Sequence, residues 1–259
     1  MVTASEPVRI ALWSGPRNLS TAMMRAFENR ADTAVIDEPF YGAYLAMTGA
    51  DHPMRDAVLA AEPTDWRSVI ERLLGPVPGG APIFYQKHMT HHMVEGIDLS
   101  WMARCRSAFL IRAPEKVLAS YAARRREVTL TDIGFDRQAV LFDREADRLG
   151  AAPPVIEADE VLADPRGALI ALCAALGIPF CEAMLAWPPG RRATDGVWAP
   201  VWYDAVERST GFATPRPGPA TRDLDEGLEA IADAARPSYE GLARYKLISA
   251  RKAEDAATP

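Results

Sequence analysis

The stretch VRIALWSGPRNLSTAMMRAFE (residues 8–28) runs from an apolar strand through a short turn directly into a helix. The first backbone N–H groups of a helix lack intrahelical partners, and the helix dipole adds partial positive charge there. Both properties favour an anion. Arg17, Ser20 and Thr21 add one positive charge and two hydroxyl groups at the same turn. The stretch therefore predicts a site for a phosphate or sulfate ester.

The turn differs from the GxxxxGK[ST] loop of ATP-dependent enzymes, which needs a second glycine and a lysine. The missing lysine counts against a small-molecule kinase that uses ATP and magnesium. The structural alternative is an ordinary strand-to-helix connection with Asn18 or Ser20 as N-cap. The turn consists of Gly15, Pro16, Arg17, Asn18, Leu19, Ser20 and Thr21.

Composition predicts one soluble domain with a sizeable core, since 49% of the 259 residues are apolar and 25% are charged. We expect this domain over residues 1–249, with a disordered tail over 250–259. No apolar run is long enough to cross a bilayer, and the N-terminus lacks a basic segment followed by an apolar one. These features predict a cytoplasmic protein without a membrane partner. The sequence gives no indication of the oligomeric state.

The net charge of −6 argues against a nucleic-acid partner. Arginines are nevertheless locally concentrated, which suits a compact polyanionic ligand; the alternative is a set of solvated helix faces. The odd number of cysteines, without metal-ligand spacing, predicts reduced, buried residues and no metal site. The cysteines are Cys105, Cys173 and Cys181, and the arginines are Arg17, Arg25, Arg112, Arg124, Arg125, Arg126, Arg191 and Arg192.

Short apolar runs alternate with segments of helical periodicity, which predicts an α/β fold: a parallel sheet flanked by helices. Asp164-Pro165 and Gly177 are typical of the start and end of a helix. The predicted strands cover 8–13, 33–37, 82–87, 107–112 and 153–157, and the predicted helices cover 18–30, 55–62, 65–74, 97–104, 114–126, 135–149, 165–176 and 223–247.

Residues 186–222 have a different character, because prolines interrupt the periodicity and aromatic residues are concentrated there. A long, loop-rich, aromatic stretch within one domain is typical of a lid or a binding segment. We expect its aromatic side chains to form a wall for a small-molecule ligand. The side chains expected in the wall are Trp198, Trp202, Tyr203 and Phe212, and the segment also contains Trp187.

The stretch FLIRAPEKVLASYAARRR (109–126) places Arg112 at the end of a buried strand and Ser120 about two turns into the next helix. Ligands of doubly wound sheets bind at the carboxyl ends of the strands. A guanidinium and a hydroxyl there suit a second phosphate. In the structural alternative, Arg112 pairs with a carboxylate at the sheet edge and Ser120 packs on a helix face.

The stretches 8–28 and 109–126 resemble the sulfotransferases that use 3′-phosphoadenosine 5′-phosphosulfate (PAPS). VIEADEVLADPRGALIALCAALGIPF (155–180) resembles a third segment of that family, so that the likeness extends from residue 8 to residue 180. It implies the family's P-loop-like nucleotide-binding fold and transfer of a sulfuryl group from PAPS to a hydroxyl or amine. The alternative, given that Leu19 replaces a loop glycine of the family, is a non-catalytic protein that binds the bisphosphate nucleotide.

The resemblance also assigns the donor site. It implies that residues 15–21 hold the 5′-phosphosulfate and that Arg112 and Ser120 hold the 3′-phosphate. Gly190, Arg191 and Arg192 of this chain resemble the closing loop of the family, which implies that the two arginines also contact the 3′-phosphate. Arg17 stands where many members have lysine, and we assign to it stabilisation of the leaving group.

Two groups are candidates for the base that takes the acceptor's proton. Asp37 and Glu38 lie at the end of the second strand, and the resemblance to carbohydrate sulfotransferases favours Glu38. The structural alternative is that these carboxylates only neutralise Arg17 or Arg112. His88 is the second choice because aryl and steroid sulfotransferases carry a histidine after a comparable strand, but its register is off by one. His91 and His92 follow closely, and a zinc site is a rival hypothesis without a fourth ligand nearby.

The segment 195–212 also resembles bacterial and plant sulfotransferase-like proteins that often carry a branched-chain aminotransferase name. Aminotransferase chemistry would require a lysine that forms a Schiff base. Lys87 is the residue that could be nominated, but the sequence around it does not resemble a pyridoxal-phosphate site. We therefore expect no aminotransferase chemistry from this chain.

Overall fold

The computed structural model describes residues 6–123, 127–212 and 224–249. Its centre is a sheet of five parallel strands in the order β2-β3-β1-β4-β5, so that all five carboxyl ends lie along one edge. The strands are β1 (Val8–Ser14), β2 (Thr33–Asp37), β3 (Ile83–Met89), β4 (Arg106–Ile111) and β5 (Val155–Glu157).

Helices flank the sheet, which confirms the predicted α/β class. They are α1 (Ser20–Glu28), α2 (Tyr41–Thr48), α3 (Arg55–Ala61), α4 (Trp66–Leu74), α5 (Pro114–Ala122), α6 (Leu130–Ile133), α7 (Phe135–Leu149), α8 (Ala158–Ala163), α9 (Pro165–Ala175), α10 (Ala199–Trp202), α11 (Asp204–Glu207) and α12 (Glu226–Ala243). Short 3₁₀ turns cover Pro78–Gly80, Thr90–His92, Ser100–Arg104 and Glu182–Leu185.

The core lies on both faces of the sheet because successive strand residues point to opposite sides. On one face, Leu12 packs with residues of α1 and α9. On the other face, its neighbour Trp13 packs with Trp101 and with residues of α4 and α7. These two layers of buried apolar side chains hold the carboxyl edge of the sheet in a fixed shape.

The predicted strands agree with the observed ones to within two residues at each end. The predicted start of α9 is also confirmed: Asp164 accepts a hydrogen bond from the Gly167 amide at 3.0 Å, and Pro165 occupies the first turn. The segment 97–104 was predicted to be helical but forms only the 3₁₀ turn at Ser100–Arg104.

Helix α2 was not predicted. Its sequence, YGAYLAMT, is apolar all round, so that it lacks the alternation of polar and apolar faces on which the prediction relied. Within the described ranges, no helix is long and apolar enough to cross a membrane. The tail 250–259, the residues 213–222 and the arginines at 124–126 lie outside the described residues.

Candidate functional site

A cavity of about 620 Å³ lies at the carboxyl edge of the sheet. One end, which we call the loop end, is lined by the turn after β1 together with Arg112 and Ser120. The other end, which we call the histidine end, is lined by Glu38, Tyr41, His52, Lys87, His91 and His92.

Helix α1 begins without a side-chain cap. Leu19 occupies the N-cap position with φ 71°, and no side chain accepts a hydrogen bond there. Neither Asn18 nor Ser20 therefore acts as the conventional N-cap. Within the described chain, the backbone amides of residues 19–22 find no hydrogen-bond acceptor. The helix start thus presents a group of donors to the cavity, as an anion site requires.

Two residues of the turn adopt the left-handed region, Arg17 with φ 61° and Leu19 with φ 71°. This region is unfavourable for side chains larger than glycine, and such strain often occurs at functional sites. Leu19 stands where the resembling family has glycine, the residue that this left-handed conformation favours. Its side chain packs against the core layer of α1.

Gly15 has a packing role, because a Cβ added there would lie 2.5 Å from the carbonyl oxygen of Ile133. It does not line the cavity, whereas residues 16–21 do. Asn18 is buried and donates from Nδ2 to the carbonyl oxygen of Leu110 at 3.3 Å. These contacts fix the turn against β4 and α6.

The loop end joins the two predicted anion-binding stretches. Arg17 donates from Nε to Ser120 Oγ at 2.9 Å and from Nη1 to the carbonyl oxygen of Trp202 at 3.4 Å. Arg112 donates from Nη1 to the carbonyl oxygen of Arg17 at 2.9 Å. Its Nε lies 3.9 Å from Asp159 Oδ1, so that the sheet-edge ion pair of the structural alternative is also present, at long range.

The histidine end of the cavity contains a buried ion-pair network. Lys87 Nζ lies 2.8 Å from Asp37 Oδ1 and 2.7 Å from Glu38 Oε1, and its side chain is 1% exposed. Asp37 and Lys87 are paired neighbours across β2 and β3. The carboxylates therefore form their ion pairs with Lys87, whereas the structural alternative assigned them to Arg17 or Arg112.

Residues of the 186–212 segment complete this network. The Tyr203 hydroxyl donates to Asp37 Oδ2 at 2.7 Å, lies 2.6 Å from Lys87 Nζ and accepts from Trp198 Nε1 at 3.0 Å. The Gly196 amide donates to Asp37 Oδ2 at 3.2 Å. The segment thus packs onto the carboxyl edge through hydrogen bonds. Motion of this segment as a lid stays a prediction.

Glu38 combines an unusual backbone with an unusual charge environment. Its φ is 40°, and its side chain faces the cavity. Burial raises the pKa of the Glu38 carboxyl above 4.5, and Asp37 adds to this, although Lys87 opposes it. Burial alone would lower the pKa of Lys87, but the attraction of Asp37 and Glu38 prevails and raises it above 10.5. The pairing with both carboxylates thus favours the charged form of Lys87, whereas a Schiff base requires the neutral amine.

His88 does not reach the cavity. Its ring stacks on Trp13 at 4.5 Å, and its Nε2 lies 3.2 Å from Gln86 Oε1. Burial lowers the pKa of His88 to about 3. Because strand side chains alternate, Lys87 and Met89 line the cavity while His88 points into the opposite core layer. The structure therefore does not support His88 as the base, because the register difference of one residue turns its side chain to the other face of the sheet.

Arg191 and Arg192 also lie away from the cavity lining. Arg191 is exposed, whereas Arg192 donates to the carbonyl oxygen of Pro188 at 2.9 Å and lies 4.0 Å from Glu28 Oε2. Arg25 is buried in an ion pair with Asp195 at 2.7 Å. Arg25 and Arg192 thus connect the 186–212 segment to α1, and the prediction for Arg191 and Arg192 at a 3′-phosphate receives no support from their positions.

No group of three or more His, Cys, Asp or Glu side chains in the described residues has an arrangement suited to a metal ion. Cys105 and Cys173 are buried, and Cys181 is partly buried. Lys87 was not predicted to be functional, and Tyr203 was expected only as part of an aromatic wall. The only available signal for Lys87 was its position opposite Asp37 in a parallel sheet, since a lysine within a buried strand requires a carboxylate partner.

The fold and the site define an α/β protein with an uncapped helix N-terminus, two arginines and a buried carboxylate around one cavity. The chain belongs to a sulfotransferase family: the family model described as "Sulfotransferase domain" matches residues 8–244. Two curated proteins of Arabidopsis thaliana are similar in sequence. Branched-chain-amino-acid aminotransferase-like protein 1 is 37% identical over 220 residues, and protein 2 of the same name is 34% identical over 215 residues.

These matches cover 85% and 83% of this chain but only 39% and 38% of the two relatives. The chain therefore spans about two fifths of the length of the curated relatives it matches.

Two solved structures share the fold. The sulfotransferase domain from the Synechococcus PCC 7002 olefin synthase has a TM-score of 0.51 and 17% identity, covering 88% of this chain and 94% of that one. The sulfotransferase domain from the curacin biosynthetic pathway has a TM-score of 0.50 and 16% identity, covering 93% of this chain and 99% of that one. At such identities the likeness concerns the fold alone.

Proposed function

We propose that the protein transfers the sulfuryl group of PAPS to a hydroxyl or amine group of a small molecule by in-line displacement. The observation that carries the proposal is a single cavity lined at one end by residues 16–21, Arg112 and Ser120 and, beyond them, by Glu38. Membership of the sulfotransferase family supports the same reaction.

The loop end has the donors that a bisphosphorylated nucleotide needs. The amides of residues 19–22 and the hydroxyls of Ser20 and Thr21 make no hydrogen bond to any described residue, so that they can donate to the 5′-phosphosulfate. Arg112 and Ser120 would hold the 3′-phosphate. In this arrangement the Arg17 side chain, which contacts Ser120 at 2.9 Å, lies between the two groups.

The reaction exchanges one sulfur–oxygen bond for another. The acceptor oxygen or nitrogen attacks sulfur, the bond from sulfur to the bridging oxygen of the 5′-phosphate breaks, and its electron pair stays on that phosphate. Arg17 and the loop amides stabilise the charge on the leaving oxygen. The acceptor's proton passes to Glu38, whose Oε1 accepts from Lys87 while Oε2 accepts no bond from the described residues.

Nucleotide binding tests the proposal and its alternatives. A ligand that binds only the folded protein raises its melting temperature. We expect stabilisation by 3′-phosphoadenosine 5′-phosphate (PAP) and PAPS, and none by ATP with magnesium. Sulfated product from PAPS and an acceptor panel would support transfer. Stabilisation by PAP without turnover would favour the non-catalytic binder, and stabilisation by ATP with magnesium would favour the kinase. No stabilisation by PAP or PAPS contradicts the proposal.

A further inference from the structure

The histidine end of the cavity contains more hydrogen-bonding side chains than proton transfer to Glu38 requires. Tyr41, His52, His91 and His92 line it beyond Glu38. His52 Nδ1 and the Tyr41 hydroxyl are 3.0 Å apart, which joins two of these side chains. A purely apolar acceptor would bury these groups without replacing their contacts with water, at a cost in affinity.

His92 is the most informative of these residues. Its ring is 1% exposed and stacks on Tyr41 at 4.7 Å and on Tyr44 at 4.9 Å, which fixes its orientation. It lines the cavity, and none of the described residues hydrogen-bonds to either ring nitrogen. Leaving a buried polar group unpaired costs about 1–3 kcal/mol, and a ligand hydroxyl would remove that cost.

The charges at this end argue against charged acceptors. Lys87 is neutralised by Asp37 and Glu38, both within 2.8 Å, and no other Lys or Arg of the described residues lines the histidine end. An acidic acceptor would meet two carboxylates without an unpaired cation. A protonated amine lacks the free electron pair that attack on sulfur requires, and Lys87 already supplies a cation to Glu38 at 2.7 Å.

We infer that the acceptor is an uncharged molecule with at least two hydroxyl groups, a sugar or another polyol, which presents one hydroxyl to Glu38 and another to His92. The inference rests on the proposed function and specifies its acceptor. A neutral imidazole offers one donor and one acceptor, which matches a hydroxyl group. Burial, followed by the nearby His91 and His52, holds the pKa of His92 well below 6.5, so that its ring is neutral at pH 7.

The test measures acceptor binding to the protein saturated with PAP, a complex in which no transfer can occur. The probes are three uncharged polyols (methyl glucoside, myo-inositol and glycerol) and three six-membered-ring counterparts (glucuronate, glucosamine and cyclohexanol). Ligand-observed NMR gives their affinities. We expect at least one polyol to bind about tenfold more tightly than each counterpart, the effect of one or two hydrogen bonds.

Two variants of His92 connect the affinity to this residue. His92→Phe keeps a ring between Tyr41 and Tyr44 but removes the hydrogen bond, and we expect it to weaken polyol binding about five- to tenfold. His92→Gln keeps a donor and an acceptor and should retain more of the affinity. PAP affinity should be the same in both variants and in the wild type, which shows that they fold.

Three outcomes would overturn the inference: no polyol binds, a charged or apolar counterpart binds most tightly, or His92→Phe leaves polyol affinity unchanged. In each of these cases PAP still binds, so that the proposed function survives. Failure of PAP itself to bind would instead contradict the proposed function, on which the inference depends.

Discussion

Lys87 and Glu38, which both line the cavity, form an ion pair with 2.7 Å between Nζ and Oε1. Asp37 lies 2.8 Å from the same nitrogen, so that one cation serves two carboxylates. The ionisation of Glu38 therefore depends on Lys87, which favours the charged form, and on burial and Asp37, which oppose it. This balance leads to the first two predictions.

Replacing the proposed base should remove turnover without removing the nucleotide. We expect Glu38→Gln to lower kcat by about 10²–10⁴-fold, the usual contribution of a general base, with PAP affinity unchanged. Because the base acts only when ionised and the pKa of Glu38 is raised, wild-type activity should fall as the pH decreases, with a midpoint above 4.5. Steady-state rates across pH check both expectations, and a variant that retains wild-type turnover would contradict them.

Removing Lys87 should shift that pH profile. Lys87→Met takes away the positive charge that lowers the pKa of Glu38, so that the midpoint of the acidic limb should move to higher pH. Breaking the buried pair should also destabilise the protein by about 3–5 kcal/mol, measurable by urea unfolding. Arg25→Met is the matched control, because it breaks another buried pair, with Asp195, away from the cavity lining. The control should lose stability and keep the wild-type midpoint.

His88 gives a prediction of the opposite kind. Its ring is enclosed by Trp13, Phe40 and Trp101, and it does not line the cavity. We expect His88→Phe to preserve the aromatic packing, with kcat within a few-fold of wild type and an unchanged acidic limb. A loss of turnover as large as that of Glu38→Gln, in folded protein, would restore His88 as the base.

The positions of the arginines predict unequal effects on PAP binding. Arg112 lines the loop end of the cavity, whereas Arg191 is exposed and lies outside the lining. We expect Arg112→Ala to weaken PAP binding about 10–100-fold, the effect of losing charge-assisted hydrogen bonds. Arg191→Ala should change it less than about twofold on the same scale. Calorimetric titration of both variants distinguishes them, and equal losses would place the 3′-phosphate elsewhere.

Arg17 and Ser120 should act together. Arg17→Ala should lower kcat about 10²–10³-fold, the usual effect of removing one transition-state donor. Because Arg17 Nε and Ser120 Oγ are 2.9 Å apart, Ser120→Ala should cost less in the Arg17→Ala background than in the wild type. A double-mutant cycle in kcat measures this coupling. Strictly additive effects would show that the contact does not matter in the transition state.

The strand-turn-helix unit at residues 8–28 was predictable because each of its features is local. An apolar run sets the strand, and the order of turn and helix sets where the anion site must lie. The same holds for α9, whose start is defined by Asp164 and Pro165. Helix α2 was not predictable in this way, since it is stabilised by packing with Trp198 and Tyr203 and not by its own sequence pattern.

The residues of the site differ in the same way: some were predictable from local sequence, whereas others depend on contacts between distant residues. Arg17, Arg112 and Glu38 were predicted at a common edge because parallel strands share one carboxyl side. The contacts of Lys87 with Tyr203, and of Arg25 with Asp195, join residues distant in sequence, and no local pattern specifies them. Whether His88 or Lys87 faces the cavity depended on the strand register, which a shift of one residue reverses.

The Gly196 amide and the Tyr203 hydroxyl donate hydrogen bonds to Asp37, which pairs with Lys87. Gly196 lies 159 positions after Asp37 in the chain. The ionisation of Glu38 therefore depends in part on a remote stretch that also forms one side of the cavity. Exchanging residues 196–203 for those of a relative would consequently alter two properties at once: the shape offered to an incoming molecule and the readiness of the carboxylate to accept its proton.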